Sequence, residues 1–334
     1  MNENSLILKI DAAARRGRSP RFRKLLGIGD DAALWRPKPG TETILTCDWF
    51  LEGTHFLRDK HPADSVGWKC LSRATSDVAA MGGIPICCLL SLAVPAALSG
   101  RWLDGFLAGL RRASRTFACP LVGGDTTRRG QVLINVTVVG QVPRATAVLR
   151  STARPGDLLF VTGRLGEAEL GLRLLRQSRQ RIDPRDPLLR KHLYPQPRIA
   201  LGRWLAERHL ASAMMDLSDG LSTDLPRLCA ASRAGARLET QHLPKPRLPR
   251  RFASRFGDLE ELALHGGDDY ELLFTVPRRK SHLIPAVFGG VPITAIGEIT
   301  KKRGVVLVDG GHVSALPEKG WDPFRRPASG LRNR

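Results

Sequence analysis

The stretch MMDLSDGLSTDL, residues 214–225, decides how this chain is read. Its apolar opening ends as a strand at Asp216, and Ser218, Asp219 and Gly220 lead into a helical run, GLSTDLPRLCAAS. A strand handing over to a helix through an acidic turn is a unit of α/β architecture. HGGDDYELLF (residues 265–274) reverses the order: two glycines, then Asp268 and Asp269, then a strand. Further out, the same kind of frame recurs as GIGDDAALW with Asp30 and Asp31, TCDWFLEGTHF with Asp48, ATSDVAAMGG with Asp77, and LVGGDTTR with Asp125. Aspartates that serve solubility sit in mixed charged stretches, whereas these follow apolar runs or occupy tight turns. Two carboxylates about 5 Å apart repel by roughly 3 kcal/mol at an effective dielectric near 20. A cluster of them therefore calls for bound cations, and divalent metals held by aspartate and water point to phosphate chemistry.

The segments between the frames organise the chain. Residues 5–16 read as a short helix, and GIGDDAALW and TETILTCDWF as strands around a turn at KPGT. ADSVGWKCLSRATSDVAAMGG has helical periodicity and stops at Gly82 and Gly83; IPICCLLSLAV is a buried strand; Ser99–Phe117 is a helix. CPLVGGD reads as a short strand entering a glycine turn, and VLINVTVVGQV as a strand. The polar stretch RSTARPGD suits a boundary, after which LLFVTG, GEAELGLRLLRQ, PRIALGRWLAERH, SAMMDL, ELLFTV and ITAIGEI alternate strand and helix. The expected fold class is α/β (α+β) in two domains, 1–148 and 149–324, with a disordered tail over 325–334.

The 334 residues carry 52 Lys and Arg against 32 Asp and Glu, a net charge of +20. The basic residues are scattered, with only two tyrosines and no aromatic interleaving, so they read first as solvated faces rather than a specific nucleic-acid surface. Six cysteines without a C-x-x-C imply a reduced, cytoplasmic protein. The longest apolar run, Ile84–Leu98, is too short for a membrane span and is interrupted by Pro85 and Pro95. No P-loop, H-E-x-x-H, G-x-S-x-G or protein-kinase signature occurs. GIGDDA superficially fits a dinucleotide fingerprint, but two aspartates where a pyrophosphate should lie exclude that fold.

Mg²⁺ takes one or two carboxylates per ion and keeps several waters, which suits single aspartates from distant segments. Gly123–Gly124 and Gly266–Gly267 would let backbone approach a phosphate. Each frame alone has a plainer reading: Ser218 or Asp219 as a helix N-cap, GGD as a hairpin turn, His55 as a packing histidine. Asp77 lies inside a helix among small apolar neighbours, which favours a buried, metal-linked role; Arg150 at the boundary is suited to bidentate phosphate binding.

Taken in order along the chain, GIGDDAA, D-x-x-x-E-G-x-H-F, SDVAAMGG, VGGDTTR, DLSDGL and GGDDYEL resemble the thiamine-monophosphate kinase family over about Leu26–Trp321. That family belongs to the superfamily that includes aminoimidazole ribonucleotide synthetase and selenophosphate synthetase. The resemblance implies a two-domain fold whose N-terminal domains pair into a barrel-like homodimer core. It also implies direct transfer of the γ-phosphoryl group of ATP to thiamine monophosphate, giving thiamine diphosphate. Carried onto this chain, Asp31, Thr46, Cys47, Asp48, Asp77, Asp125, Asp216 and Asp219 would bind several Mg²⁺ ions, with Asp30 adjoining them. Gly124, Asp125, Arg150 and Ser218 would contact ATP, and His55, Asp268 and Trp321 the thiamine phosphate. Cys47 stands where the family usually has Ser or Thr; a thiol is a poor Mg²⁺ ligand, so its backbone carbonyl would serve instead. Asp268 shortens the family's glutamate by one methylene. Two other readings of the sequence stay open: a superfamily relative that activates an amide or selenide with ATP, and a basic nucleic-acid-binding protein on the same fold.

Overall fold

The computed structural model describes residues 3–15, 28, 32–178, 183, 184, 186–248, 256 and 258–324. Asp30, Asp31 and the expected tail at 325–334 lie outside the described residues. After α1 (Glu3–Arg15), the chain builds a sheet from β1 (Thr41–Leu51), β2 (Ile84–Ala93), β3 (Leu121–Thr127) and β4 (Leu133–Pro143). The strand order is β1-β4-β2-β3. Helices α2 (Ala63–Ala80) and α3 (Arg101–Thr116) pack on its inner face. Strand alternation sorts the residues: Ile134, Val136 and Val138 of β4 are buried, while Leu133, Asn135, Thr137 and Val139 face outward and are half-buried. β3 continues through Gly123 and Gly124, so the glycine pair lies within a strand rather than in the expected turn. A Cβ on Gly124 would meet the Leu90 carbonyl at 1.9 Å, so close strand pairing accounts for that glycine.

The second half forms an eight-stranded, mostly antiparallel sheet in which β6 (Ala213–Leu217), β8 (Glu271–Val276), β5 (Leu158–Thr162), β10 (Val291–Thr300), β7 (Gly235–Glu239), β11 (Gly304–Asp309) and β12 (His312–Ala315) follow one another, with β9 (Val287–Phe288) beside β10. Alternate residues feed two cores. Leu159, Val161, Met215, Leu217 and Leu273 pack with α7 (Leu221–Ala231). Phe160, Met214, Leu272 and Phe274 pack with α6 (Ile199–Glu207). The remaining helices are α4 (Glu167–Gln177), α5 (Pro187–Leu193) and α8 (Leu259–His265).

Helix α2 joins the halves. It is buried on almost every side and touches β1, β4 and α3 on one flank and α5, α6 and β6 on the other. Glycines set these approaches: a Cβ on Gly67 would meet Phe106 O at 1.9 Å, and one on Gly202 would meet Ala79 O at 2.1 Å. Small residues along α2 are therefore a packing requirement.

Glu271, at the start of β8, is fully buried and ties this strand to the helices. Lys191 Nζ donates to it at 2.9 Å, Arg198 Nε at 2.6 Å and Thr162 Oγ1 at 2.5 Å. Burial alone would raise this carboxyl, but Arg198 and Lys191 overcome it and bring the pKa down to about 2 from an ordinary 4.5. The depressed value means that the stabilisation is complete above about pH 4.5 and is lost as the pH falls through about 2. Glu271→Gln is expected to lose about 3 kcal/mol at pH 7 in urea unfolding, with the gap from wild type narrowing at pH 3. A pH-independent gap would contradict this assignment.

Candidate functional site

A cavity of about 250 Å³ opens where the two halves meet. It is lined from the first half by Asp48, His55, Arg73 and Asp77, and from the second by Asp216, Ser218, Asp219, Tyr270, Trp321 and Pro323. Asp48 is reached because alternation along β1 turns Thr46, Asp48 and Phe50 toward α2. Lys69, Arg73 and Asp77 recur every four residues, so one stripe of α2 faces the cavity wall. Asp216 is the penultimate residue of β6, and the loop to α7 carries Ser218 and Asp219.

That loop is shaped from within. Buried Asp224, in the first turn of α7, accepts hydrogen bonds from Ser218 N and Asp219 N, both at 3.0 Å. Neither Ser218 nor Asp219 caps the helix: the N-cap is Gly220, at φ 100°. The GGDDYEL loop lies against it, with Asp268 N donating to Ser218 O at 2.8 Å and Tyr270 N to Leu217 O at 2.9 Å. A Cβ on Gly267 would meet Ser218 O at 2.8 Å, so this glycine serves the contact between the two loops. Trp321 N donates to Asp219 O at 2.8 Å, which holds the half-exposed indole at the cavity mouth.

The electrostatics divide the cavity. Burial raises Asp48 to about 6, opposed by Arg73 and reinforced by Asp77, Asp219 and Asp268. Burial also raises Asp77, whose carboxylate accepts from Thr46 Oγ1 and feels the exposed Arg150. Asp216, only 5% exposed, is pushed well above the carboxylate range by burial and then by Asp77. Asp219 is paired with Arg227 at 2.5 Å. On the opposite side, burial would raise Asp268, but Lys69 at 2.8 Å and Arg73 at 3.3 Å hold it below the usual range. His55 is lowered to about 4, by burial first and then by Arg73, and stays neutral near pH 7. Leu51 N donates to its Nδ1 at 3.0 Å, which leaves Nε2–H as the free donor.

The expected site residues separate into groups. Thr46, Asp48, Asp77, Asp216, Ser218, Asp219, His55, Asp268 and Trp321 come together in or beside the cavity. Cys47 and Asp125 do not: both are exposed, with Cys47 on the outer face of β1 and Asp125 on β3, the opposite edge of the sheet. Gly124 is exposed next to Asp125, and Arg150 is exposed after β4. Asp269 turns away and accepts from Gly166 N and Ala168 N, capping α4. Lys69, Arg73 and Tyr270 were not anticipated; the signal was the Lys–Arg–Asp stripe at four-residue spacing on a helix of otherwise small and apolar residues.

Among the described residues no group of three or more His, Cys, Asp or Glu side chains could hold a metal ion. The donor set nevertheless fits Mg²⁺, which takes one or two carboxylates and completes its shell with water and phosphate oxygens. Asp48, Asp77 and Asp216 are raised carboxyls gathered in one cavity, and a cation is what would restore their charge.

The chain matches the family models for AIR synthase related protein, N-terminal domain, over residues 29–142 and AIR synthase related protein, C-terminal domain, over 154–310. Fold and cavity thus define a two-domain protein of the AIR synthase-related class. Thiamine-monophosphate kinase of Escherichia coli (strain K12) is 38% identical over 323 residues, covering 93% of this chain and 96% of that protein. The crystal structure of thiamine-monophosphate kinase from Stenotrophomonas maltophilia K279a has a TM-score of 0.78 at 36% identity, with 92% of this chain and 96% of that chain covered. AaThiL complexed with AMPPCP and TMP has a TM-score of 0.76 at 32% identity, covering 97% and 99%. This chain belongs to the thiamine-monophosphate kinase family.

Lys69 is 1% exposed and spans the seam to Asp268, while its Nζ also lies 3.2 Å from His192 Nδ1. Lys69→Met leaves Asp268 without its nearest counter-charge and is expected to cost about 3 kcal/mol in chemical denaturation. A loss below about 1 kcal/mol would show that Arg73 alone suffices to neutralise it.

Proposed function

We propose that this protein transfers the γ-phosphoryl group of ATP to the phosphate of thiamine monophosphate, giving thiamine diphosphate and ADP. The observation that carries this reading is the convergence of Asp48, Asp77, Asp216 and Asp219, from four separate segments, on one cavity at the seam. An acceptor phosphate oxygen forms the new bond to the γ-phosphorus as the bond to the β–γ bridging oxygen breaks and ADP leaves. The acceptor is already ionised, so alignment and charge neutralisation suffice, and no strong base is needed.

Within this reading Asp48, Asp77, Asp216 and Asp219 hold Mg²⁺, together with Asp31, and Thr46 orients Asp77 through its hydroxyl. Mg²⁺, when bound, supplies charge neutralisation of the transferred phosphoryl group. Ser218 and Arg150 serve the nucleotide. His55 offers Nε2–H to the acceptor, Asp268 faces its cationic ring system, and Trp321 provides an aromatic face for stacking.

The reading extends to assembly. Leu45 is 71% and Trp49 56% exposed, and Leu89 also shows on the same outer face of the first sheet. We assign this face to the pairing of two N-terminal domains in a barrel-like homodimer, with the domains divided at 148/149. Cys47, Gly124 and Asp125 then lie on the face that meets the second subunit rather than in the single-chain cavity, with Cys47 offering its backbone carbonyl. No described helix is long and apolar enough to cross a membrane. Six free cysteines and small-molecule chemistry support a cytoplasmic setting without a specific nucleic-acid partner.

Purified protein with ATP, Mg²⁺ and thiamine monophosphate is expected to yield thiamine diphosphate, with none from free thiamine and none with EDTA. ATP consumption without that product would discard the acceptor. Asp216→Asn is expected to cut turnover by on the order of 10²–10³-fold while leaving the melting temperature equal or higher, because a buried carboxyl that is costly to ionise is removed. Loss of activity together with loss of fold would contradict this. Leu45→Glu with Trp49→Glu is expected to yield monomers in sedimentation equilibrium; an unchanged dimer would move the interface elsewhere.

A further inference from the structure

We propose that Arg73 binds the phosphate of the acceptor and sets the preference for a phosphorylated substrate over its dephosphorylated form. This rests on the reaction proposed above and deepens it.

Arg73 is the single Lys or Arg among the described residues that line the cavity, whose acidic lining is Asp48, Asp77, Asp216 and Asp219. A phosphate monoester entering such a space needs a cation with hydrogen-bond donors that the carboxylates leave free. Asp268 takes up Nη1 alone, which donates to its Oδ1 at 3.3 Å, and shares that charge with Lys69, which is closer at 2.8 Å. Asp48 feels the charge but leaves the Nη2 donor unpaired, because Nη2 is 4.0 Å from its Oδ1, beyond hydrogen-bond distance.

The guanidinium is held in place by other means. Its Cζ lies 5.6 Å from the Phe50 ring centroid and 5.9 Å from that of Tyr270. Nη1 donates to Tyr270 Oη at 2.9 Å, and Tyr270 Oη donates to Asp268 Oδ1 at 2.6 Å. Nε is buried and has no hydrogen-bond partner. A donor withheld from water and left unpaired, on a fork fixed by two rings, marks a place where an acceptor belongs. The planar fork fits a phosphate with two parallel N–H···O bonds, which a lysine cannot reproduce. His55 lines the same cavity as a neutral donor, so the phosphate would meet two donors there.

The test compares wild type, Arg73→Met and Arg73→Lys by steady-state kinetics. Tryptophan fluorescence titrations with thiamine monophosphate and with thiamine accompany them. For Arg73→Met, kcat/KM for thiamine monophosphate is expected to fall about 100-fold with KM for ATP within about twofold and a cooperative unfolding transition retained. Arg73→Lys keeps the charge without the fork and is expected to recover about a tenth of that loss in binding while folding normally. Wild type is expected to bind the monophosphate more tightly than thiamine, and Arg73→Met to lose that preference. An active wild type whose Arg73 variants keep the wild-type KM for thiamine monophosphate would overturn this inference and leave the proposed reaction standing. A wild type that forms no thiamine diphosphate yet shows the Arg73-dependent preference would do the reverse. If Arg73→Met fails to fold, Arg73→Lys decides alone, and an unchanged KM for thiamine monophosphate overturns the proposal.

Discussion

Carboxylates that repel one another are held in one cavity because α2 is wedged between two sheets. Asp48 arrives from β1, Asp77 from α2, and Asp216 and Asp219 from the end of β6. Each would be more stable in water than among the others. Close backbone contacts at Gly67 and Gly202 fix the helix, so the carboxylates cannot relax apart without unpacking two cores. Burial accordingly raises Asp48, Asp77 and Asp216, which is the signature of a site built for cations and polyanions rather than for stability.

Across the cavity the sign of the charge changes, and the same helix is responsible. Lys69 and Arg73 stand about two turns and one turn before Asp77 on the α2 stripe. Lys69 is committed to Asp268 across the seam, which pins the two halves together and keeps that carboxylate charged. Arg73 is held between Phe50 and Tyr270, with donor capacity left over. One face of a single helix thus presents an acidic end suited to metal-bound phosphates and a basic end suited to a second phosphate. A reaction that joins two phosphates requires that juxtaposition, because their mutual repulsion is the main obstacle.

Much of this was legible in the sequence. Periodicity located α2, α3, α6, α7, β2, β4, β6 and β8, because each carries a repeat of period 3.6 or 2 or a continuous apolar run. The short helices α5 and α8 and the strands β7, β11 and β12 were not legible, being brief segments whose pairing comes from tertiary contact. Aspartate frames pointed to Asp48, Asp77, Asp216 and Asp219, but frames do not distinguish faces. Alternation along β1 sends Cys47 to the side opposite Asp48, and only the strand order reveals that Asp125 is at the far edge. Asp269 follows Asp268 directly and yet caps α4, since the backbone turns through the left-handed region at Asp268 (φ 67°) and Tyr270 (φ 50°). The glutamate of the same motif, Glu271, is a buried anchor for Arg198 and Lys191 rather than a ligand of the cavity.

The proposed role of the seam carboxylates is to bind divalent cations together with nucleotide phosphates. A crystal grown with Mn²⁺ in place of Mg²⁺ and a non-hydrolysable ATP analogue tests it most directly through anomalous scattering. Mn²⁺ peaks are expected between Asp48, Asp77, Asp216 and Asp219 on one side and the analogue's phosphates on the other. Bound analogue with its metal peaks away from these four carboxylates would contradict it.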